Sequence, residues 1–382
     1  MIYLDYAAGA PLSKEAAKVF QHLSTEVYGN ASSLHDAGGR AADVLEYCRH
    51  SAGKLIGGAA DGIYFTSGGT EANILAVQSL LHGLPDHKKH FITTAMEHHS
   101  IHNAAAFLAD RGIDVTIIYP DENGLITEDI LAAHIRPDTG LVSIQHANSE
   151  TGLIQPVNRL AAFLHQRNIL LHCDCVQSFG KLPIDADQAG IDALSVSGHK
   201  VYGPTGTGAV YIRPGVSWNP VYPHTVHENG FRPGTVNVPA IGAFTAAEYA
   251  VKHMEEHREH ADRLRNYLYD QIRRQGLPIS FSEEETGGEC LPHIVGCFFQ
   301  SFEGQYIMLE CNRNDICIST GSACSAGSHG PSSAMKALRK TEREARQFFR
   351  ISFGNETTCE QLDMLIHTFT ALWEQKKGES AI

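Results

Sequence analysis

The sequence predicts an α/β protein: a large part built on a mostly parallel sheet covered by helices on both faces, then a smaller α+β part. Three observations predict it. Short β-branched or apolar runs alternate with helical patterns from about residue 63 to residue 172. That rhythm loosens after Ile212. The 382 residues and their 43% hydrophobic content are enough for two cores. The large domain is expected over 16–254 and the small one over 255–382, with residues 1–15 joining them.

Taken in order, Met1–Tyr6 is strand-like and Asp5–Pro11 turns away. A helix follows from Ser13, its expected N-cap, to Val27, and a second from about Gly38 to Leu55. Ile63–Thr66 is a strand that runs into Ser67-Gly68-Gly69-Thr70 and then a helix carried by Ile74–Leu81. Strand, glycine turn and helix N-terminus make an anion site, because the first backbone N–H groups of a helix have no internal partner. The alternation continues with strands at 91–94, 115–118, 141–144 and 169–172, and helices at 100–110, 127–134 and 158–166. Beyond Ile212 come a loop over 226–235 and one long helix from Pro239 to Gln275. Strands follow at 294–299 and 349–353, with helices at 305–312 and 359–375.

The net charge of −13 argues against a nucleic-acid-binding surface, which needs clustered Lys and Arg. No apolar stretch is long enough to span a bilayer. Nine cysteines without a signal-peptide pattern point to reduced thiols in the cytoplasm. The His and Cys spacings match no metal-ligand pattern, so no metal is expected.

In parallel sheets, ligands collect beyond the strand C-terminal ends. Those ends carry Gly69 and Thr70, His98, Asn148 and Ser149, and Asp174 and Gln177. Lys200 stands in Ser197-Gly198-His199-Lys200, between two apolar runs, so it belongs on a short connection between strands. Each of these residues has an ordinary structural reading alone: Thr70 as a cap, His98 as a core histidine, Asp174 as a helix cap, Lys200 as a surface charge. Together they fill every role around pyridoxal 5′-phosphate. A lysine forms the Schiff base, and a carboxylate keeps the ring nitrogen protonated so that the ring takes up electrons. His98 would lie over the ring, Gln177 would bond its phenolic oxygen, and Gly69, Thr70, Ser197 and His199 would hold the phosphate.

Phe65-Thr66-Ser67-Gly68-Gly69-Thr70-Glu71, Glu97-His98, Asp174-x-x-Gln177, Ser197-Gly198-His199-Lys200-x-Tyr202-Gly203-Pro204 and Gly321-Ser322-Ala323-Cys324 together resemble the cysteine desulfurases of the NifS/IscS type. These are class-V aminotransferase-like enzymes of PLP fold type I, whose large domain carries a seven-stranded sheet. The likeness runs from Tyr3 to Arg350-x-Ser352-x-Gly354. It implies that Lys200 carries the cofactor and shuttles protons, and that Arg350 clamps the carboxylate of L-cysteine. It implies that Thr235 reaches the cofactor phosphate of a neighbouring subunit in a homodimer. Cys324 would take the substrate sulfur as a persulfide and release alanine. The residues support that last role independently, because Thr320–Pro331 is small and polar, as a loop carrying sulfur between a cleft and an outside partner needs to be. Cys297 and Cys173 are expected to be buried structural thiols, and His98 is a candidate acid–base partner for Cys324.

The sequence also departs from the family. Asn148-Ser149-Glu150 stands where Asn-Asn-Glu is usual, so either Ser149 or Asn148 meets cofactor and substrate. No glycine run precedes His227-Glu228. The sequence ends soon after Leu372-Trp373-Glu374, where housekeeping members continue into a tail that helps dock an iron–sulfur scaffold. That suggests a dedicated sulfur acceptor, a tRNA-thiolating enzyme or one cluster-requiring enzyme. The competing expectations are another class-V enzyme, an aminotransferase or a selenocysteine lyase, and a non-catalytic partner-binding module.

Overall fold

The computed structural model describes residues 1–244, 246–321 and 332–380. In chain order the strands are β1 (Ile2–Tyr3), β2 (Ile63–Thr66), β3 (His90–Thr94), β4 (Asp114–Ile118), β5 (Thr139–Gln145) and β6 (Leu170–Asp174). They continue with β7 (Ala193–Ser197), β8 (Gly208–Ile212), β9 (Ile279–Phe281), β10 (Ile294–Phe299), β11 (Ile316–Cys317) and β12 (Phe348–Ser352).

Seven of these form the central sheet in the order β2-β8-β7-β6-β5-β3-β4. The pairs β7–β6, β6–β5, β5–β3 and β3–β4 are parallel, while β8 runs against both of its neighbours. Every residue of β5, β7 and β8 is buried, which matches their near-continuous apolar sequence and the rule that parallel sheets are covered on both faces. One face packs Leu80, Phe91, Leu141 and Val210 together, and the other packs Cys48, Phe65, Leu194 and Tyr211. The expected α/β class is therefore the observed one.

Two buried histidines pin neighbouring strands. His172 bonds Ser143 Oγ of β5 through Nδ1 (2.8 Å) and Ser195 Oγ of β7 through Nε2 (3.0 Å). Burial pushes its pKa down to about 3, so the ring stays neutral and serves both hydroxyls. His90 on β3 does the same between Thr139 (2.7 Å) and Thr116 (2.8 Å).

Caps set the helix starts. Ser13 Oγ accepts from Ala16 N at the start of Lys14–Glu26, as expected, and Thr127 Oγ1 accepts from Ile130 N before Glu128–His134. The expected single helix over 239–275 is instead three: Val238–Ala243, Ala246–Lys252 and Met254–Arg274. The first is capped by the Asn237 side chain, with Pro239 in its first turn. The last two are separated by His253, whose backbone (φ −108, ψ 18) leaves the helical range. The first two pack into the central core through Ile241, Ala247 and Ala250, and the third packs into the C-terminal core through Leu264, Leu268 and Ile272, so apolar residues recur along the run although its pieces serve different cores.

In the C-terminal part, β9, β10 and β12 form an antiparallel sheet in the order β12-β10-β9. It packs Phe281, Phe299 and Phe349 against Leu268 and Phe369 of the flanking helices Met254–Arg274 and Cys359–Ser380. Cys297 is buried in this core and Cys173 in the central one. β1 pairs in parallel with β11, and Leu4 joins the C-terminal core, so the chain's first residues belong to its last layer. We propose the break near residue 254 as the boundary between the two parts.

Candidate active site

β2 ends at Thr66, and the helix Gly69–Gly83 begins three residues later. Gly68, its N-cap, has φ 150, a conformation that L side chains rarely adopt, and no side chain caps this helix. Its N-terminal N–H groups therefore face the space beyond the sheet. A Cβ at Gly69 would lie 2.7 Å from Val176 Cγ2, so only glycine allows this approach to the end of β6.

That space is a cavity of about 360 Å³, within the usual range for small-ligand sites. Gly69, Thr70, Ser197 and His199 line one part of it, with Asp174, Gln177, His98, Lys200, Ser149 and Arg350 around the rest. Ten of the sequence-predicted residues thus converge from widely separated segments.

The lysine lies where a strand connection was expected, in the one-turn 3₁₀ helix Gly198–Lys200 between β7 and β8. Its Nζ donates to the carbonyls of Ala7 (2.5 Å) and Ala8 (2.8 Å), which bring the N-terminal segment to the cavity rim. Asp174, at the end of β6, accepts from Val176 N at 3.0 Å through Oδ1 and from Asn73 Nδ2 at 2.7 Å through Oδ2. His98 caps the helix His99–Ala109, and burial lowers its pKa. Behind it, Glu97 is buried, and desolvation raises its carboxyl to about 8, so it is a neutral acid at neutral pH. His199 bonds Ser197 Oγ at 2.9 Å, and burial, reinforced by the Lys200 charge, lowers it to about 4.

Arg350 lies on β12 and is almost wholly buried. Nη1 donates to Ser149 O at 2.7 Å and Nη2 to Asp5 Oδ1 at 2.6 Å. Ser149 lines the cavity, whereas Asn148 stands behind the wall. The Asn148 side chain is taken up by its own turn: Oδ1 accepts from Glu150 N, Thr151 N and Thr151 Oγ1, and Nδ2 donates to Met96 O. Gln177 Nε2 donates to Ala7 O (3.0 Å), and its Oε1 is buried without a partner among the described residues.

Thr235 is exposed and does not line this cavity. The loop that bears it is nonetheless fastened to the glycine turn. Arg232 pairs with Glu71 (3.1 Å), whose Oε2 also accepts from Ser67 N (2.6 Å). Glu228 bonds Phe65 N of β2 (2.7 Å) and forms a buried ion pair with Arg49 (3.0 Å). Cys324 lies outside the described residues. On either side of its segment, Ser332 Oγ donates to Glu150 Oε2 (2.6 Å), and a Cβ at Gly321 would lie 3.7 Å from the same carboxylate. Both flanks therefore meet beside Ser149.

Sequence reasoning missed Asn73, Gln145 and Asp5. Gln145 lines the cavity in register with Asp174, and its buried Nε2 has no partner among the described residues. Its signal was the two-residue period from Ser143, which carries one polar face to the end of β5.

The class-V aminotransferase family matches residues 2–365. The chain belongs to that family. A putative cysteine desulfurase NifS of Bacillus subtilis is 67% identical over 99% of the chain and 96% of its own length. A cysteine desulfurase IscS of Dictyoglomus turgidum is 35% identical over 98% of the chain and 95% of its own length. Among solved structures, a NifS-like protein superposes with a TM-score of 0.89 at 29% identity, covering 98% of this chain and 99% of its own. SspA in complex with cysteine gives a TM-score of 0.81 at 32% identity, over 92% and 99%. The chain thus falls among the NifS/IscS desulfurases of the family, with the PLP fold type I architecture that the resemblance implied.

Proposed function

We propose that the protein is a pyridoxal-phosphate-dependent cysteine desulfurase, which converts L-cysteine to L-alanine and passes the sulfur, as a persulfide on Cys324, to an acceptor protein. The observation that carries this reading is the convergence of Lys200, Asp174 and Arg350 on one cavity, with Gly321 and Ser332, the flanks of the Cys324 segment, both near Glu150, the residue after the cavity-lining Ser149.

The residues present fit the cofactor. An uncapped helix N-terminus, Thr70, Ser197 and His199 offer donors for a phosphate. Asp174 offers a carboxylate for a protonated ring nitrogen, and Gln177 keeps a buried polar atom without a partner among the described residues. Bound there, pyridoxal phosphate supplies an electron sink for the amino-acid carbon skeleton.

The remaining work falls to the chain. Lys200 holds the cofactor covalently and moves protons at Nζ. Its two carbonyl partners keep that amine at the rim, against the N-terminal segment. Arg350 binds the substrate carboxylate, and its buried guanidinium is pre-oriented by Ser149 O and Asp5. Ser149, rather than Asn148, meets the ligand, while Asn148 shapes the turn that presents it. His98 would pack against the cofactor ring. In the sulfur step a bond forms between Cys324 Sγ and the substrate sulfur, and the substrate's C–S bond breaks. The electron pair stays with carbon, which is protonated and leaves as alanine.

Thr235 would meet the cofactor phosphate of a second copy in a homodimer, a role consistent with its exposure. The acceptor would serve iron–sulfur cluster assembly, thiocofactor synthesis or tRNA thiolation. Among the described residues no helix is long and apolar enough to cross a membrane, and we place the enzyme in the cytoplasm.

The test is alanine formation from L-cysteine with a reductant, by the parent and by Cys324→Ala. Alanine from the parent alone supports the desulfurase and its nucleophile. With pyridoxal phosphate bound, alanine from neither would turn the reading to transamination, and equal alanine from both would remove Cys324 from the reaction.

A further inference from the structure

Asn73 lies in the second turn of the helix Gly69–Gly83, where it lines the cavity and is 1% exposed. An amide nitrogen has two hydrogens to give. Asn73 Nδ2 gives one to Asp174 Oδ2 (2.7 Å) and the other to Ser100 Oγ (2.9 Å). Ser100 Oγ thus acts as acceptor toward Asn73, and because Ser100 N–H donates into the Nδ1 lone pair of His98, the 2.8 Å contact between that nitrogen and Ser100 Oγ has the hydroxyl as its donor. Ser100 N also donates to that nitrogen, at 3.2 Å.

Two donors meet at Nδ1, so Nδ1 carries no proton. In a neutral imidazole the proton then sits on Nε2. Burial, which lowers the His98 pKa, keeps the ring in that neutral form.

We propose that Asn73 and Ser100 are positioning residues which join Asp174 and His98 in one hydrogen-bonded chain, fix the Asp174 carboxylate as an acceptor, and lock His98 as its Nε2–H tautomer. His98 then meets the amino-acid ligand as a proton donor. It can take a proton only after giving one up, so it is not the base that first ionises Cys324. The identity of the ligand rests on the desulfurase reading, but the tautomer does not.

A core-filling role for Asn73 does not account for the arrangement. Its Oδ1 is buried without a partner among the described residues, a cost that a leucine of similar size would avoid. What the amide provides, and leucine lacks, is the pair of donors.

The experiment is 15N NMR of the histidine rings in the cofactor-loaded protein, with the His98 signals identified by their loss in His98→Gln. The parent should show an unprotonated Nδ1 and a protonated Nε2. Asn73→Leu frees the Ser100 hydroxyl to accept and leaves only the longer Ser100 N–H bond to hold Nδ1 unprotonated, so a minor Nδ1–H form should become detectable. The variant should also bind pyridoxal phosphate about tenfold more weakly, as expected for loss of a charge-assisted hydrogen bond to Asp174. An Nδ1–H tautomer in the parent overturns the proposal even if the variant does not fold. A folded Asn73→Leu with unchanged tautomer and cofactor affinity also overturns it. Failure of the desulfurase reading would look different: the parent would make no alanine, while the His98 signals stayed as expected.

Discussion

Arg350 and Asp5 stand 345 positions apart in the sequence, and their side chains meet at 2.6 Å. The guanidinium is almost fully buried, and the carboxylate is its charged partner. This contact ties β12 to the segment that follows β1, the same segment whose carbonyls hold Lys200. The proposed substrate anchor and the proposed cofactor-bearing lysine therefore share one support.

Removing one partner of a buried ion pair leaves the other charge uncompensated, at a cost of about 3 kcal/mol. Asp5→Ala should lower the melting temperature and raise KM for L-cysteine several-fold, because Arg350 loses its orientation. Thermal unfolding and steady-state kinetics check this. A normal KM would mean that Ser149 O alone orients the arginine.

Lys200→Ala should lose the retained visible colour of the cofactor on extensive dialysis and lose alanine formation. Absorbance after dialysis measures it. A yellow variant that stays yellow would contradict the covalent role of Lys200.

Stability should depend on His172 at acid pH. Its folded pKa of about 3 lies below the ordinary histidine value of 6.5. Between those values the unfolded chain binds the extra proton, so the contribution is full above about pH 6.5 and falls as pH drops toward 3. The slope is about 1.4 kcal/mol per pH unit for one group. Urea unfolding at pH 7 and pH 5 should show His172→Gln less sensitive to acid than the parent. Equal sensitivity would show that the ring is not the buried neutral group that pins β5, β6 and β7.

Glu228→Gln should destabilise by about 2 kcal/mol, because buried Arg49 then keeps only the exposed Glu46 as a charged partner. Since Glu228 also holds Phe65 N, the loop carrying Arg232 and Thr235 should become more open to proteolysis. Limited proteolysis beside urea titration tests both effects, and an unchanged cleavage pattern would remove the tether from the argument.

Much of the fold and site was legible in the sequence. Apolar period and caps gave the strand at Ile63–Thr66 and the helix start at Ser13, because both are local: each depends on a few neighbouring residues. The residues at strand C-terminal ends were legible for the same reason, since a parallel sheet sends them all to one edge. The single helix over 239–275 failed because apolar residues recur along the whole run although its pieces pack into two different cores.

By itself the sequence determined the α/β class, the glycine turn before a helix, and a lysine between two strands opposite a strand-end aspartate. Only the tertiary structure decided that Ser149 and not Asn148 faces the cavity. Only it paired Asp5 with Arg350, and made Asn73 the link between Asp174 and His98. The physical reason is range. Periodicity and capping act over a few residues, whereas a buried polar side chain takes whichever partner the packed chain brings within about 3 Å.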